Sequence, residues 1–197
     1  MPDALIVVDV QYDFCPGGNL PVPFGDQVIP VLNDYLTVAD TVGIPIFASR
    51  DWHPPGTVHF ADHGGIWPEH CLQGEHGAEF HKDLRLPRSA RTVTKGDNQR
   101  DDGYSAFQGY LQDGTTLADA LHAARVTRVF VGGLATDYCV LQTVLSARQA
   151  DFDAVYLRDA CRAVEVKRGD GAQAEEAMLA AGARAIVFAQ FNPRRSA

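Results

Sequence analysis

Arg128-Val129-Phe130-Val131-Gly132-Gly133-Leu134-Ala135-Thr136-Asp137-Tyr138-Cys139 joins an apolar run to a helical run through two glycines. Residues 128–131 are β-branched, aromatic or charged only at the start, the composition of a buried strand. Beyond the glycines, Val140, Leu141, Val144, Leu145 and Arg148 recur at helical spacing, with Thr136 or Asp137 placed to act as N-cap. The stretch therefore reads as strand, tight turn and helix start. Cys139 falls in the first helical turn, where unpaired backbone N–H groups and the positive end of the dipole favour a thiolate over a thiol. The ordinary fate of a free cysteine is burial as a small hydrophobe, so its neighbours decide between the two readings.

The same unit recurs on both sides. Ala4-Leu5-Ile6-Val7-Val8 is apolar without alternation, as in a central strand covered on both faces. Val28, Ile29, Leu32, Leu36 and Ala39 then predict a helix capped by Asp26, with Pro30 tolerated near its first turn and Gly43 and Pro45 ending it. Pro45–Ser49 and Arg91–Thr94 predict a second and a third strand. A helix capped by Thr115 or Thr116 leads into the strand at 128, and Ala154–Leu157 and Ala185–Phe188 flank a helix over 172–181 ended by Gly182. Six strands alternating with helices predict an α/β fold: an open six-stranded parallel sheet with helices on both faces and right-handed crossovers. Residues 1–197 are expected to form a single domain, with a loop-rich segment at about 51–90 and a frayed tail over 192–197.

The 197 residues carry a formal net charge of -8 and a pI near 5.2, which argues against nucleic acid or an anionic membrane as partner. No apolar run approaches the ~18 residues of a membrane span, and no basic leader precedes the first strand, so a cytoplasmic chain is expected. Cys15, Cys71, Cys139 and Cys161 form neither a disulfide scaffold nor a C-x-x-C pair.

Asp9, Lys95 and Cys139 each follow directly on a strand and so should meet at the carboxyl edge of the sheet, where open α/β folds place their ligands. A base, a cation and a nucleophile at one address make a coherent set for covalent catalysis: Asp9 takes the thiol proton while Lys95 stabilises thiolate and carboxylate. A structural Asp9–Lys95 ion pair is the plainer alternative. Their strand-end position implies that both tolerate substitution without loss of folding. A second cluster lies in the loop-rich segment, which holds six of the seven histidines. Asp51, His53 and His70, with His59 nearby, are a carboxylate-imidazole set suited to Zn, Fe or Mn, while His63, His76, His81 and His122 read as ordinary surface or core residues.

Six motifs then carry a resemblance over nearly the whole chain: Asp9-Val10-Gln11-Tyr12-Asp13-Phe14, Asp51-Trp52-His53, Trp67-Pro68-Glu69-His70-Cys71, Lys95-Gly96, Tyr104-Ser105-Ala106-Phe107 and Gly133-Leu134-Ala135-Thr136-Asp137-Tyr138-Cys139. The chain resembles the nicotinamidase/pyrazinamidase family of the isochorismatase-like cysteine hydrolase superfamily. That resemblance implies an amidohydrolase converting nicotinamide, and pyrazinamide, to the acid and ammonia through a cysteine thioester in NAD salvage. It implies a triad of Asp9, Lys95 and Cys139, and an oxyanion hole from the N–H groups of Ala135 and Cys139, with a cis peptide before Ala135. It further implies one divalent metal on Asp51, His53 and His70, with His59 a ligand in some relatives, and no organic cofactor. Phe14, Trp67, Tyr104, Leu134, Ala135 and Tyr138 are the implied substrate contacts. Two rivals stand beside this reading: another small-amide hydrolase of the superfamily, whose members generally lack the Asp-x-His…His set, and a redox thiol sensor, which would want a resolving cysteine that the spacings do not nominate. The sequence leaves the oligomeric state open.

Overall fold

The computed structural model describes residues 2–195. Six strands join in one parallel sheet: β1 (Asp3–Val8), β2 (Ile46–Asp51), β3 (Arg91–Lys95), β4 (Arg128–Leu134), β5 (Asp153–Arg162) and β6 (Arg184–Ile186), in the order β3-β2-β1-β4-β5-β6. Among the described residues the α-helices are α1 (Val28–Val42), α2 (Leu117–Ala123), α3 (Leu141–Gln149) and α4 (Asp170–Ala180). The expected architecture holds. No helix among the described residues is long and apolar enough to cross a membrane.

The unalternating run of β1 is explained by what covers it. Leu5 and Val7 pack on the α1 face with Leu32, Tyr35 and Leu36, while Ala4, Ile6 and Val8 pack on the other face with Leu121 of α2, Val144 of α3 and Met178 of α4. Every β1 residue is buried, which is what a central strand covered on both sides requires. The first half of the chain builds outward from β1 through β2 to β3; the second half builds from β4 to β6 on the other side. The order reverses between β1 and β4, and the crevice beyond their carboxyl ends is the site expected for a ligand. Asp9 and Cys139 leave these two strands. Their close approach depends on Gly133, at φ 134°, where an added Cβ would stand 2.1 Å from the Val8 carbonyl oxygen.

Several local expectations change. Asp26 does not cap α1; it lies in a 3-10 turn over Gly25–Gln27, and α1 starts at Val28 with no side-chain cap. Gly43 does end the helix, in the left-handed conformation. Thr116 rather than Thr115 caps α2, accepting from the Asp119 N–H. Neither Thr136 nor Asp137 caps the cysteine helix, because the chain enters it through a π-helical turn, Thr136–Val140, that opens on Ala135. Strand β6 stops at Ile186, and Phe188 begins a 3-10 turn. The tail expected to fray is held as far as it is described: Asp3 N–H donates to the Arg194 carbonyl, Arg194 N–H returns to the Asp3 carboxylate, and Phe191 packs edge-on to Tyr35 and Phe130. Residues 196 and 197 of that tail lie outside the described residues.

Candidate active site

Asp9, Lys95 and Cys139 meet at the carboxyl edge of the sheet, and Asp51 joins them. Lys95 Nζ lies 2.7 Å from Asp9 Oδ2, donates to Asp51 Oδ1, and lies 3.5 Å from Cys139 Sγ. The Asp9 contact is a buried charge pair, and the other carboxylate oxygen accepts from Ser49 Oγ at 2.7 Å. Neither member of the pair sits at a solvent end as the strand positions implied. Lys95 is 1% exposed and Asp9 0%, because the irregular segments after β2 and β3 close over the sheet edge.

Burial and charge set the protonation states. Burial raises the Asp9 carboxyl; Lys95 opposes it and Asp51 adds to it, leaving it at about 6. Burial also acts to raise Asp51, but the attraction of Lys95 and His53 outweighs it and holds that carboxyl well below its usual range. Lys95 stays firmly charged, since its two carboxylates overcome the cost of burial. Cys139 departs from expectation. Burial raises its thiol well above the ordinary value, and Asp9 and Asp51 offset the pull of Lys95. The resting site thus pairs a neutral thiol with an ionised base at neutral pH, rather than a thiolate stabilised by a helix end.

The histidines converge beside this group. His53, His59 and His70 are buried, and their rings offer nitrogens that all lie within 4.8 Å of one another. Each is anchored through Nδ1: His53 to the Gly96 carbonyl at 2.9 Å, His70 to the Pro68 carbonyl at 2.7 Å, and His59 to Asp102 Oδ1 at 3.2 Å. Anchoring Nδ1 leaves Nε2 as the free ring nitrogen, the arrangement typical of metal-ligating imidazoles. Among the described residues, His53 Nε2 is buried with no hydrogen-bond partner, 3.7 Å from Asp51 Oδ2. Burial pushes His70 down to about 4 and lowers His59 as well, so both are neutral donors at pH 7. An orphaned imidazole nitrogen facing a carboxylate and two further neutral imidazoles fits a divalent cation. His59 stands in this group as well, but its anchor, Asp102, is an exposed side chain where the other two rest on backbone carbonyls. Gly96, at φ 64°, makes room for the His53 ring, which an added Cβ would approach to 2.6 Å. His63 and His122 are exposed, and His76 and His81 lie tilted against Tyr12.

One pocket opens onto both groups. Phe14, Trp67, Tyr104, Ala135 and Tyr138 line it together with Asp51, His59, His70 and Cys139. Trp67 Nε1–H donates to Tyr104 Oη at 2.8 Å and its ring meets Tyr138 edge-on at 4.8 Å, so the aromatic wall is braced before any ligand arrives. Leu134 is not part of that wall. Its side chain is fully buried in the α1-side core, and the peptide bond from it to Ala135 is cis. The Ala135 carbonyl accepts from both Tyr138 and Val140 N–H, which leaves the intervening Cys139 N–H free of that acceptor.

Leu20, Val22 and Val164 also line the pocket and escaped the sequence reading, as did Ser49, Asp102 and Gln11. Gln11 is fully buried and clamps the backbone of Asp51, accepting its N–H and donating to its carbonyl, both at 2.8 Å. Its place inside the first motif was the available signal.

A family model for the isochorismatase domain matches residues 3–187. The nicotinamidase of Escherichia coli is 38% identical to this chain over 97% of each protein. Among solved structures, a pyrazinamidase of Pyrococcus horikoshii in complex with zinc superposes with a TM-score of 0.87 at 41% identity, covering 95% of this chain and all of its own. A protein from L. infantum in complex with nicotinate gives a TM-score of 0.83 at 35% identity, covering 95% of this chain and 93% of its own.

Proposed function

Because the chain belongs to the isochorismatase family, among its nicotinamidases and pyrazinamidases, it is an amidohydrolase of the nicotinamidase kind, and we propose that it hydrolyses nicotinamide through a thioester on Cys139. The observation that carries the mechanism is the buried contact of Lys95 with Asp9, Asp51 and Cys139 at the floor of an aromatic pocket.

The ring of the substrate packs among Trp67, Tyr104, Tyr138 and Phe14, with its carboxamide carbon over Cys139 Sγ. Asp9, ionised above about pH 6, takes the thiol proton as sulfur attacks, and Lys95 keeps the carboxylate in place and offsets the charge of the nascent thiolate. The N–H groups of Ala135 and Cys139 receive the developing oxyanion, a donor pair of the kind worth ~10²–10³ in rate per donor. Collapse of the tetrahedral species passes the Asp9 proton to nitrogen, which leaves as ammonia. Asp9, again a base, deprotonates a water that attacks the thioester; the acid departs and the thiol is re-formed. A divalent cation held by Asp51, His53, His59 and His70 would supply Lewis-acid chemistry, polarising a bound water or anchoring a ring nitrogen. Gln11 and Asp102 serve that set by fixing the Asp51 backbone and the His59 tautomer. The product acid suits a cytoplasmic role in pyridine-nucleotide salvage.

Ammonia release from nicotinamide tests the activity directly. Turnover by the metal-loaded protein is expected, and its absence under loading with Zn, Mn and Fe(II) in turn would overturn the assignment.

A further inference from the structure

Val164 is the pocket-lining residue that comes from beyond the cysteine helix, on the segment that leads from β5 to α4. It is half-buried, and Val166 two residues on is 61% exposed, so this segment forms part of the pocket rim. What holds it is Asp137, two residues before the nucleophile. The two oxygens of that carboxylate accept the N–H groups of Val164 and Glu165, each at 2.9 Å. On the far side, the Glu165 carboxylate accepts from Gly169 and Gly171 N–H at the start of α4. Glu165 itself sits at φ 56°, a conformation that a non-glycine residue keeps when its flanks are pinned.

These bonds index the aliphatic rim to the attacking sulfur. Asp137 and Cys139 share one π-helical turn, so the distance from Sγ to the Val164 side chain is set by a rigid element and one bidentate carboxylate. We propose that Val164, positioned by Asp137, limits the size of the aromatic amide that can place its carboxamide on Cys139, admitting a bare six-membered heteroaromatic ring and rejecting ring-substituted and bicyclic carboxamides. This rests on the nicotinamidase reading and names the substrate boundary of that same site. A single methylene in an apolar pocket changes discrimination by about 10–200-fold, so trimming valine to alanine is large enough to be read.

The experiment compares kcat/KM for nicotinamide, for nicotinamides methylated at each free ring carbon in turn, and for quinoline-3-carboxamide, which is nicotinamide with a fused benzene ring. Val164→Ala should raise the ratio of at least one bulky amide to nicotinamide by about tenfold or more. Asp137→Ala, which frees the rim, should move the ratio in the same direction, and Asp137→Asn, which keeps one acceptor, should move it less. Ratios within about twofold of wild type for every amide in Val164→Ala would overturn the proposal, whether or not Asp137→Ala folds. A uniform fall in kcat for all amides in Asp137→Ala, with the ratios unchanged, would assign Asp137 to the nucleophile turn and would also overturn it. Wild-type protein inert toward nicotinamide would instead remove the activity on which the comparison depends, an outcome the nicotinamide arm reads separately.

Discussion

Replacing Lys95 with methionine removes one cation from between two carboxylates that have no water to turn to. Nζ lies 2.7 Å from Asp9 and contacts Asp51, and the residue is 1% exposed. Deleting one partner of a buried ion pair costs roughly 3–5 kcal/mol, a large share of the ~5–15 kcal/mol that holds a domain together. For a chain of this size, at about 2–4 °C per kcal/mol, the midpoint should fall by about 6–20 °C. The loss should depend on pH with a definite sign. Asp9 is already raised to about 6 with Lys95 present, and without it the folded carboxyl rises further above its unfolded value of 3.8. The folded state then binds a proton that the unfolded chain releases, so the deficit shrinks as pH falls from 8 towards 5.5 and grows as pH rises. Urea unfolding of wild type and Lys95→Met, both treated with chelator so that no metal replaces the lost cation, measures it. Asp9→Asn in the Lys95→Met background should restore much of the stability, giving a coupling energy between the two positions. A loss under about 1 kcal/mol, insensitive to pH and uncoupled from Asp9, would refute the idea that Lys95 neutralises this site.

The acid limb of kcat/KM should have an apparent pKa near 6, with activity rising as pH rises through it, and Asp9→Asn should lower kcat by ~10² or more while removing that limb; an unchanged profile in Asp9→Asn would assign the base elsewhere. Measured by elemental analysis and competition with a chelator, His53→Ala and His70→Ala should lose bound metal, His59→Ala and Asp102→Ala should weaken its binding by about 10–100-fold, and His63→Ala should leave it unchanged. Among the four cysteines, only Cys139→Ala should abolish ammonia release, since of the four it is Cys139 that lines the pocket and contacts Lys95.

The strands were legible because β1 and β4 are apolar without alternation, a pattern that burial on both faces imposes. The site was legible where chemistry coincides with a strand end, as at Asp9, Asp51, Lys95 and Cys139. What escaped depends on long-range placement. Ser49 reads as one more strand residue until Asp9 is seen across the β1–β2 ladder, and Gln11 matters only because the Asp51 backbone lies beside it. Leu20, Val22 and Val164 sit on connections with no period of their own, so nothing local marks them as pocket residues. The cap expected at Thr136 or Asp137 failed for a related reason. Asp137 spends its carboxylate on the segment after β5, and the π-helical turn closes on the Ala135 carbonyl instead. Lys95 and Asp9 were expected at the solvent edge because a strand end says nothing about the loops that later cover it.

The central claim, attack by Cys139 on the carboxamide carbon, is tested most directly by acid-quenching the enzyme during turnover of nicotinamide and mapping the protein by mass spectrometry. The account predicts a nicotinoyl group on the peptide that contains Cys139, formed with one equivalent of ammonia and absent from Cys139→Ala. Full-rate ammonia release by Cys139→Ala, or an acyl group carried on any other residue, would contradict it.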